Sequence, residues 1–393
     1  MKRKIFALDA IELIQEFVRC PSVTFESNRE VTSLMARRLD SLGFEVREFE
    51  YSDLNGTPKV GLEARRQGSR PTSTLSGVGY FCHNDVVSVE GWNCPHGGAF
   101  EAVIADDRMW GRGTCDMKGS AAVAMSAISR IAVADQTAPI YFFVTGDEEC
   151  GMRGAEEIAS TSDFYREMVE RQGIGIVGEP TELQLVAAHK GGCHFTVKAK
   201  GVAAHSSTEE GDNANWKLLP YLNRLKEFDE RLRSEPEFQD DRFSPAHMSM
   251  NVVVENTPSM SNITVGQALC HVFLRPVPTA PWRALIAEME QAALDIGLEF
   301  DLMRPMPPVE TKPDRDSVQS MLALLGQRDA ECVCYATDAC CFQDLQDVVI
   351  LGPGSIEQAH RSDEFIELSQ VQKGVYTYER LFRMFAVDPS LDG

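Results

Sequence analysis

Side chains that can bind a metal ion follow the ends of four short apolar runs in this sequence. Each run is bounded by glycine or proline and has the length of a buried β-strand. The potential ligands after these runs are His83, Asp85, Glu148, Glu149, Glu179 and His360. A further candidate, Asp116, lies in the glycine-bounded segment GRGTCDMKG. Because ligands in open α/β sheets gather beyond the carboxyl ends of the strands, we expect these side chains to converge.

Two of these motifs are weak signals when each is taken alone. His83 and Asp85 are spaced i, i+2, which points both side chains to one side of an extended segment. Asp85 can then accept a hydrogen bond from the imidazole nitrogen that does not bind metal. A surface histidine beside an aspartate is the commoner explanation of such a pair, and the run 147–149 is by itself more typical of a solvated surface. The coincidence of several strand-end positions favours a metal site over both alternatives.

The kinds of ligand predict the kind of metal. Two histidines with several carboxylates suit zinc, with cobalt or manganese as substitutes. Two divalent cations would also offset the repulsion between the adjacent carboxylates of Glu148 and Glu149. One of these carboxylates would bind metal, while its neighbour would take a proton from a water molecule.

The pattern of elements predicts how these residues are positioned. The apolar runs at 77–82, 139–145, 173–178 and 348–352 read as central strands, and residues 119–132 read as a helix of small residues. Strands that alternate with helices indicate an α/β fold with a mostly parallel sheet.

The pattern of apolar and polar residues changes near residue 190. Apolar and polar residues alternate at 193–201, 250–256 and 268–276, as in a half-exposed antiparallel sheet, and amphipathic helices accompany them. We therefore predict a catalytic metal-binding domain at 1–190 and 301–393. An α+β domain at 191–300 would be inserted into it.

Composition excludes several classes of protein. The chain has 393 residues and a formal net charge of −21, which argues against nucleic acid or an anionic membrane as a partner. No segment approaches the roughly 18 continuous apolar residues of a spanning helix, and the N-terminal stretch lacks the pattern of a cleaved leader. Eleven cysteines at scattered spacings suit a reducing compartment, so we expect a cytoplasmic protein.

Six segments together resemble a known family, the dinuclear-zinc amidohydrolases and metallopeptidases. The segments are CHNDVV, GRGTCDMKG, TGDEECGMRGA, GEPTELQLVAAHKGG, GVAAHSS and GPGSIEQAHRSDEF. The family includes acetylornithine deacetylase, succinyl-diaminopimelate desuccinylase, aminoacylase and glutamate-releasing carboxypeptidases. The similarity runs from about residue 10 to about residue 385 and is strongest to the acetylornithine deacetylase branch.

The resemblance implies a role for each matching residue of the catalytic domain. The implied ligands of two divalent metal ions, Zn²⁺ or alternatively Co²⁺, are His83, Asp116, Glu149, Glu179 and His360. Asp116 would bridge the two ions and would be followed by a cis peptide bond. Glu148 would be the general acid/base, and Asp85 would orient His83.

The resemblance also implies that the inserted domain is a lid through which a homodimer forms. It would supply His205 of the partner subunit to stabilise the oxyanion. Arg275 and Asn262 would bind a substrate carboxylate, and Thr337 would lie near the substrate. From the residues alone, His205 can equally be an ordinary loop histidine, Arg275 can extend from its strand to solvent, and Thr337 can be a turn former.

The implied activity is metal-dependent hydrolysis of the amide bond of an N-acyl amino acid. The first expected substrate is N2-acetylornithine, which would give ornithine and acetate in arginine biosynthesis. Succinyl-diaminopimelate, acetylcitrulline and other aminoacylase or dipeptidase substrates are the alternatives with the same chemistry. A catalytically silent, metal-dependent binding protein is the alternative from another class, but the complete set of ligands together with Glu148 disfavours it.

Overall fold

A computed structural model describes residues 8–68 and 75–387. Residues 1–7, at the start of the stretch that we expect to lack a cleaved leader, lie outside the described residues. The chain forms two compact units. The first consists of Met1–Ala187, Thr311–Glu331 and Thr337–Gly393, and the second of Ala188–Glu310 and Cys332–Ala336.

The described chain contains both helices and strands, in mixed order. The α-helices are α1 (Ala10–Val18), α2 (Arg29–Ser41), α3 (Lys118–Ser129), α4 (Arg153–Thr161), α5 (Asp163–Glu170), α6 (Ala214–Ser234), α7 (Trp282–Leu294), α8 (Asp316–Leu325) and α9 (Leu368–Ala386). The strands are β1 (Glu45–Ser52), β2 (Pro58–Arg66), β3 (Val78–His83), β4 (Val103–Ala105), β5 (Arg108–Trp110), β6 (Ile140–Thr145), β7 (Ile174–Val177), β8 (Val186–His189), β9 (Cys193–Lys200), β10 (Ser249–Thr257), β11 (Gln267–Arg275), β12 (Glu299–Leu302), β13 (Val309–Glu310), β14 (Glu331–Val333), β15 (Asp347–Ile350) and β16 (Phe365–Glu367). None of the described helices combines the length and the apolar character needed to span a lipid bilayer.

The centre of the first unit is a sheet in which β6, β3, β7 and β15 run parallel to one another. Every residue of these four strands is buried. Burial on both faces explains why their sequences are continuous apolar runs and not alternating patterns. β2 and β1 extend the sheet with antiparallel pairing. The predicted α/β class with a parallel sheet is confirmed, and the parallel strands form its centre.

The register of these strands aligns their carboxyl ends. His83 at the end of β3 lies opposite Thr145 at the end of β6, and Phe81 lies opposite Val177 at the end of β7. Val177 in turn lies opposite Ile350 at the end of β15. The segments that follow these four strands therefore leave the sheet at the same edge.

Helix α3 is the most deeply buried helix of the first unit. All its residues are buried, and it packs against α1 and α9. Its small side chains allow this close packing. At its first turn, a Cβ atom added to Gly119 would lie 1.9 Å from the main-chain oxygen of Thr114, so only glycine fits where the helix meets the preceding loop.

The second unit contains a four-stranded antiparallel sheet in the order β10-β11-β9-β12. Buried and partly exposed residues alternate along β9 and β11, and α6 and α7 contribute to the core on the buried face. The predicted antiparallel α+β unit is therefore confirmed. Residues 234–245, which lack an apolar pattern, form a 3-10 turn at Pro236–Phe238 and bury both Phe238 and Phe243.

Candidate metal centre

The candidate ligands of the first unit lie where the strands of its sheet end. His83 is the last residue of β3, and Glu179 follows the end of β7 by two residues. Glu148 and Glu149 lie in a 3-10 turn shortly after β6. The aligned carboxyl ends bring these segments together, as expected for an open α/β sheet.

Two groups of three side chains place their donor atoms within 4.8 Å of one another. In the first group, Nε2 of His83 lies 3.1 Å from Oδ1 of Asp116 and 3.6 Å from Oε1 of Glu179. All three side chains are buried. A nitrogen and two carboxylate oxygens at this spacing form a donor set suited to a divalent transition metal.

The second group consists of Asp116, Glu149 and His360. Nε2 of His360 lies 2.9 Å from Oε2 of Glu149 and 3.5 Å from Oδ2 of Asp116. Asp116 therefore presents Oδ1 to the first group and Oδ2 to the second. The peptide bond between Asp116 and Met117 is cis.

Asp85 contacts both His83 and the turn that carries the two glutamates. Nδ1 of His83 lies 3.0 Å from the main-chain oxygen of Asp85 and 3.4 Å from its Oδ1. The carboxylate of Asp85 also accepts the main-chain N–H groups of Glu148 (3.2 Å) and Glu149 (3.3 Å) and the hydroxyl of Thr24 (2.6 Å). The spacing of His83 and Asp85 predicts their mutual contact, but it does not predict the contact of Asp85 with the glutamate turn.

The electrostatics of the site favour a cation. Burial raises the pKa of Glu148 well above its usual value, and the neighbouring Glu179 and Glu149 raise it further, although His83 acts in the opposite direction. Burial likewise raises the pKa of Glu179, with Asp116 adding to the increase. Buried, mutually repelling carboxylates cost free energy when ionised unless a positive charge lies among them. The residues present therefore fit divalent metal ions.

Asp147 has a structural role that is not evident from the neighbouring sequence. Its carboxylate accepts hydrogen bonds from the hydroxyl of Tyr51 (2.7 Å) and from the main-chain N–H groups of Arg153 (2.8 Å) and Gly154 (2.9 Å) at the start of α4. The only sequence signal is its place beside Glu148 in the acidic run. Its partners lie up to 96 residues away and cannot be read from spacing.

Thr337 is buried, and its hydroxyl accepts the main-chain N–H of Ala339 in a 3-10 turn. The adjacent Asp338 is also buried and accepts a hydrogen bond from the hydroxyl of Thr145 at the end of β6 (2.8 Å). Burial raises the pKa of Asp338 to about 7. The structure thus gives Thr337 the capping contact of a turn former and links its neighbour to the strand before the glutamates.

The other predicted site residues lie in the second unit. His205 is exposed, and its Nδ1 lies 2.7 Å from the hydroxyl oxygen of Ser207. Its segment pairs with the segment of Asn262, because the N–H of Ser206 donates to the main-chain oxygen of Asn262 (3.0 Å). Arg275 ends β11, and its guanidinium lies over the ring of Phe273.

Comparison with known proteins places this geometry in a family. The family model for peptidase family M20/M25/M40 matches residues 80–384. The chain belongs to this family. The acetylornithine deacetylase of Aliivibrio fischeri (strain ATCC 700601 / ES114) is 32% identical over 369 residues, which cover 91% of each chain.

Solved structures of M20 proteins share the fold. An M20 family metallo-carboxypeptidase from Sulfolobus solfataricus has a TM-score of 0.71 at 17% identity, with 96% of this chain and 99% of that chain covered. A Bacillus subtilis protein described as a dinuclear metal binding peptidase of the family has a TM-score of 0.63 at 14% identity, with 95% and 97% covered. The chain is thus an M20 family hydrolase, and its relatives support amidohydrolase chemistry on small-molecule substrates.

Proposed function

We propose that this M20 hydrolase is a dinuclear metal-dependent deacetylase that converts N2-acetylornithine into ornithine and acetate, a step of arginine biosynthesis. The observation that carries the proposal is the position of Asp116, which offers one carboxylate oxygen to each of two ligand groups. The choice of substrate is supported by relatives named acetylornithine deacetylase that align along 91% of the chain.

The ligands of one ion would be His83, Asp116 and Glu179, and those of the other Asp116, Glu149 and His360. Imidazole with carboxylate favours Zn²⁺, and Co²⁺ suits the same donors. When bound, such ions supply Lewis acidity, which polarises the amide carbonyl and lowers the pKa of water.

The chain's own residues transfer the proton and orient the side chains of the site. Glu148 takes the proton of the attacking water and later gives it to the departing amine. Asp85 keeps Glu148 in place by accepting its main-chain N–H, and it also contacts the imidazole of His83. This arrangement separates the roles of the two adjacent glutamates, because Glu149 faces His360.

The second unit would bind the substrate and the developing negative charge. The proposed oxyanion donor is His205 of the partner subunit, and the proposed partners of the substrate carboxylate are Arg275 and Asn262. Thr337 is proposed to lie near the substrate. The exposed imidazole of His205 and the cationic side chain of Arg275 have the chemistry that these roles require.

A homodimer that forms through the inserted unit is part of the proposal. It is supported by β10, an edge strand on which the adjacent residues Val252, Val253 and Val254 are all exposed. The neighbouring helix α6 exposes 72% of Trp216. Exposed apolar edge strands pair readily with another chain. A cytoplasmic location is supported by the eleven cysteines, whose scattered spacings suit a reducing compartment.

The replacement Glu148→Gln tests the proposed chemistry. It removes the proton acceptor and preserves the shape of the side chain, so we expect kcat to fall by at least a hundredfold, at the lower end of the roughly 10²–10⁴-fold contribution of general acid–base catalysis. Metal content, measured by mass spectrometry of the dialysed protein, should stay at the wild-type ratio. Glu170→Gln, a change of the same kind at an exposed position of α5, is the control and should retain full activity. Near-native turnover by Glu148→Gln would refute its role as the base.

Rates on three substrates test the proposed specificity. We expect kcat/KM to be highest for N2-acetylornithine, lower for N-succinyl-diaminopimelate and lower again for N-acetylmethionine. A higher value for either of the other substrates would replace the substrate assignment and leave the amidohydrolase chemistry in place. Full metal loading without hydrolysis of any N-acyl amino acid would instead favour a binding protein.

A further inference from the structure

Glu364 lies four residues after His360 and is completely buried. Its Oε1 accepts three main-chain N–H groups, those of Gly113 (3.0 Å), Cys115 (2.9 Å) and Asp116 (3.1 Å). Hydrogen bonds to a carboxylate are roughly twice as strong as those between neutral groups. One side chain from the His360 segment therefore holds the main chain of the loop that carries Asp116.

Two more contacts join the same two segments. Nη1 of Arg112 donates to Oε2 of Glu364 at 2.7 Å, and both side chains are buried. The N–H of Gly111 donates to the main-chain oxygen of Glu364 at 3.0 Å. The Arg112 guanidinium offsets the negative charge that Glu364 brings into this interior position.

The loop at 111–117 has no regular secondary structure of its own to fix Asp116. β5 ends at Trp110 and α3 begins at Lys118. Within the loop, the N–H of Thr114 donates to the oxygen of Gly111, whereas the N–H groups of Gly113, Cys115 and Asp116 all donate to Glu364. The conformation at Asp116 therefore depends on a residue about 250 positions later in the chain.

We propose that Glu364 is a positioning residue that fixes Asp116 relative to His360 and thereby sets the metal affinity of both ligand groups. The inference rests on the proposed dinuclear function. Asp116 contributes an oxygen to each group, so a shift of its main chain changes both. The second group is affected twice, because Glu364 also anchors the segment that carries His360.

Metal titration of the Glu364→Gln variant tests this role. Glutamine keeps the size of the side chain but loses the charge that strengthens the hydrogen bonds from the three main-chain N–H groups. We expect the affinity for Zn²⁺, measured by competition with a chromophoric chelator, to fall about 10–100-fold, as is typical when a group that supports a metal ligand is changed. The loss should be larger for the ion held by Asp116, Glu149 and His360, because Glu364 anchors both the Asp116 loop and the His360 segment. Glu63→Gln is the control, since Glu63 is also buried in the first unit but accepts a hydrogen bond from Ser162, and it should bind Zn²⁺ with wild-type affinity.

The Glu364→Gln variant leaves Arg112 buried without a charged partner and can unfold for that reason. A second variant keeps the test valid in that case. The double variant Arg112→Met/Glu364→Gln removes both charges, and circular dichroism with thermal unfolding checks that it is folded. Its Co²⁺ form should show shifted visible absorption bands relative to wild type, because the ligand geometry has changed. Wild-type affinity for Zn²⁺ and an unshifted Co²⁺ spectrum in the folded double variant would overturn the positioning role of Glu364 and leave the proposed function unaffected. If the wild-type protein binds no pair of ions, the proposed function fails together with it.

Discussion

At the scale of single residues, the acidic run 147–149 is held by hydrogen bonds on both sides. Asp85 accepts the N–H groups of Glu148 and Glu149, while Asp147 accepts the hydroxyl of Tyr51 and the N–H groups at the start of α4. Three adjacent carboxylates would otherwise repel one another and share one flexible segment. These contacts give each carboxylate a separate direction, with Asp147 turned to α4 and Glu149 turned to His360.

Tyr51→Phe tests how much this support contributes to stability. The hydroxyl of Tyr51 donates to Oδ1 of Asp147 at 2.7 Å and accepts the N–H of Gly146 at 3.0 Å. Its removal takes the acceptor from the buried N–H of Gly146 and one of several donors from the carboxylate of Asp147, so we expect the free energy of unfolding to fall by about 1–3 kcal/mol. Urea denaturation measures the change. Tyr376→Phe, at a side chain that is 60% exposed, should stay within about 0.5 kcal/mol of wild type. Equal losses in both variants would contradict a specific role for the Tyr51 hydroxyl.

At the scale of elements, the site depends on how α3 meets the loop that carries Asp116. The N–H of Gly119 donates to the main-chain oxygen of Gly113 at 3.1 Å, so the first turn of the helix bonds directly to the loop. All residues of α3 are buried among α1, α9 and the sheet, which leaves the helix no free direction in which to move. A change at this junction is therefore transmitted to Asp116 and not absorbed by the helix.

Gly119→Ala should consequently damage both stability and metal binding. The added methyl group would lie 1.9 Å from the main-chain oxygen of Thr114, and a main-chain atom can yield only if the loop moves. We expect a loss of about 1–3 kcal/mol in the free energy of unfolding, as for other overpacked interiors, and a weaker affinity for Zn²⁺. Gly98→Ala is the control, because the three heavy atoms nearest to its added methyl group would all belong to the exposed side chain of Glu101, the nearest at 3.3 Å. Wild-type Zn²⁺ affinity in Gly119→Ala would show that the loop tolerates the shift.

At the scale of the whole molecule, local pattern predicts the architecture better than it predicts the contacts between distant segments. Strands buried on both faces are recognisable as continuous apolar runs, and their carboxyl ends indicate where His83 and Glu179 meet. The hydrogen bonds of Glu364 join segments about 250 residues apart, and no periodicity in the sequence indicates which loop a buried glutamate will reach. The burial of Phe238 within residues 234–245 is also not predictable from its charged sequence neighbours, because it depends on tertiary packing.

The proposed dimer is a property of the whole molecule that one edge strand can test. In β10, Val252 and Val254 lie on the same face, and β10 is at one end of the sheet order, whereas β12 is at the other end. Val252→Lys/Val254→Lys would place four ammonium groups near one another across a two-fold interface, where repulsion and desolvation both oppose association. We expect the dimer to dissociate at least a hundredfold more readily, a change of about 2.7 kcal/mol, with metal content unchanged.

Sedimentation velocity over a range of protein concentrations measures this change. Leu302→Lys on β12 is the control, since Leu302 is 39% exposed at the opposite edge of the same sheet, and it should leave the dimer intact. Dissociation by Leu302→Lys alone would move the interface to β12. A monomeric wild-type protein would rule out the dimer, and the source of His205 would then have to be the same chain as the metal ligands.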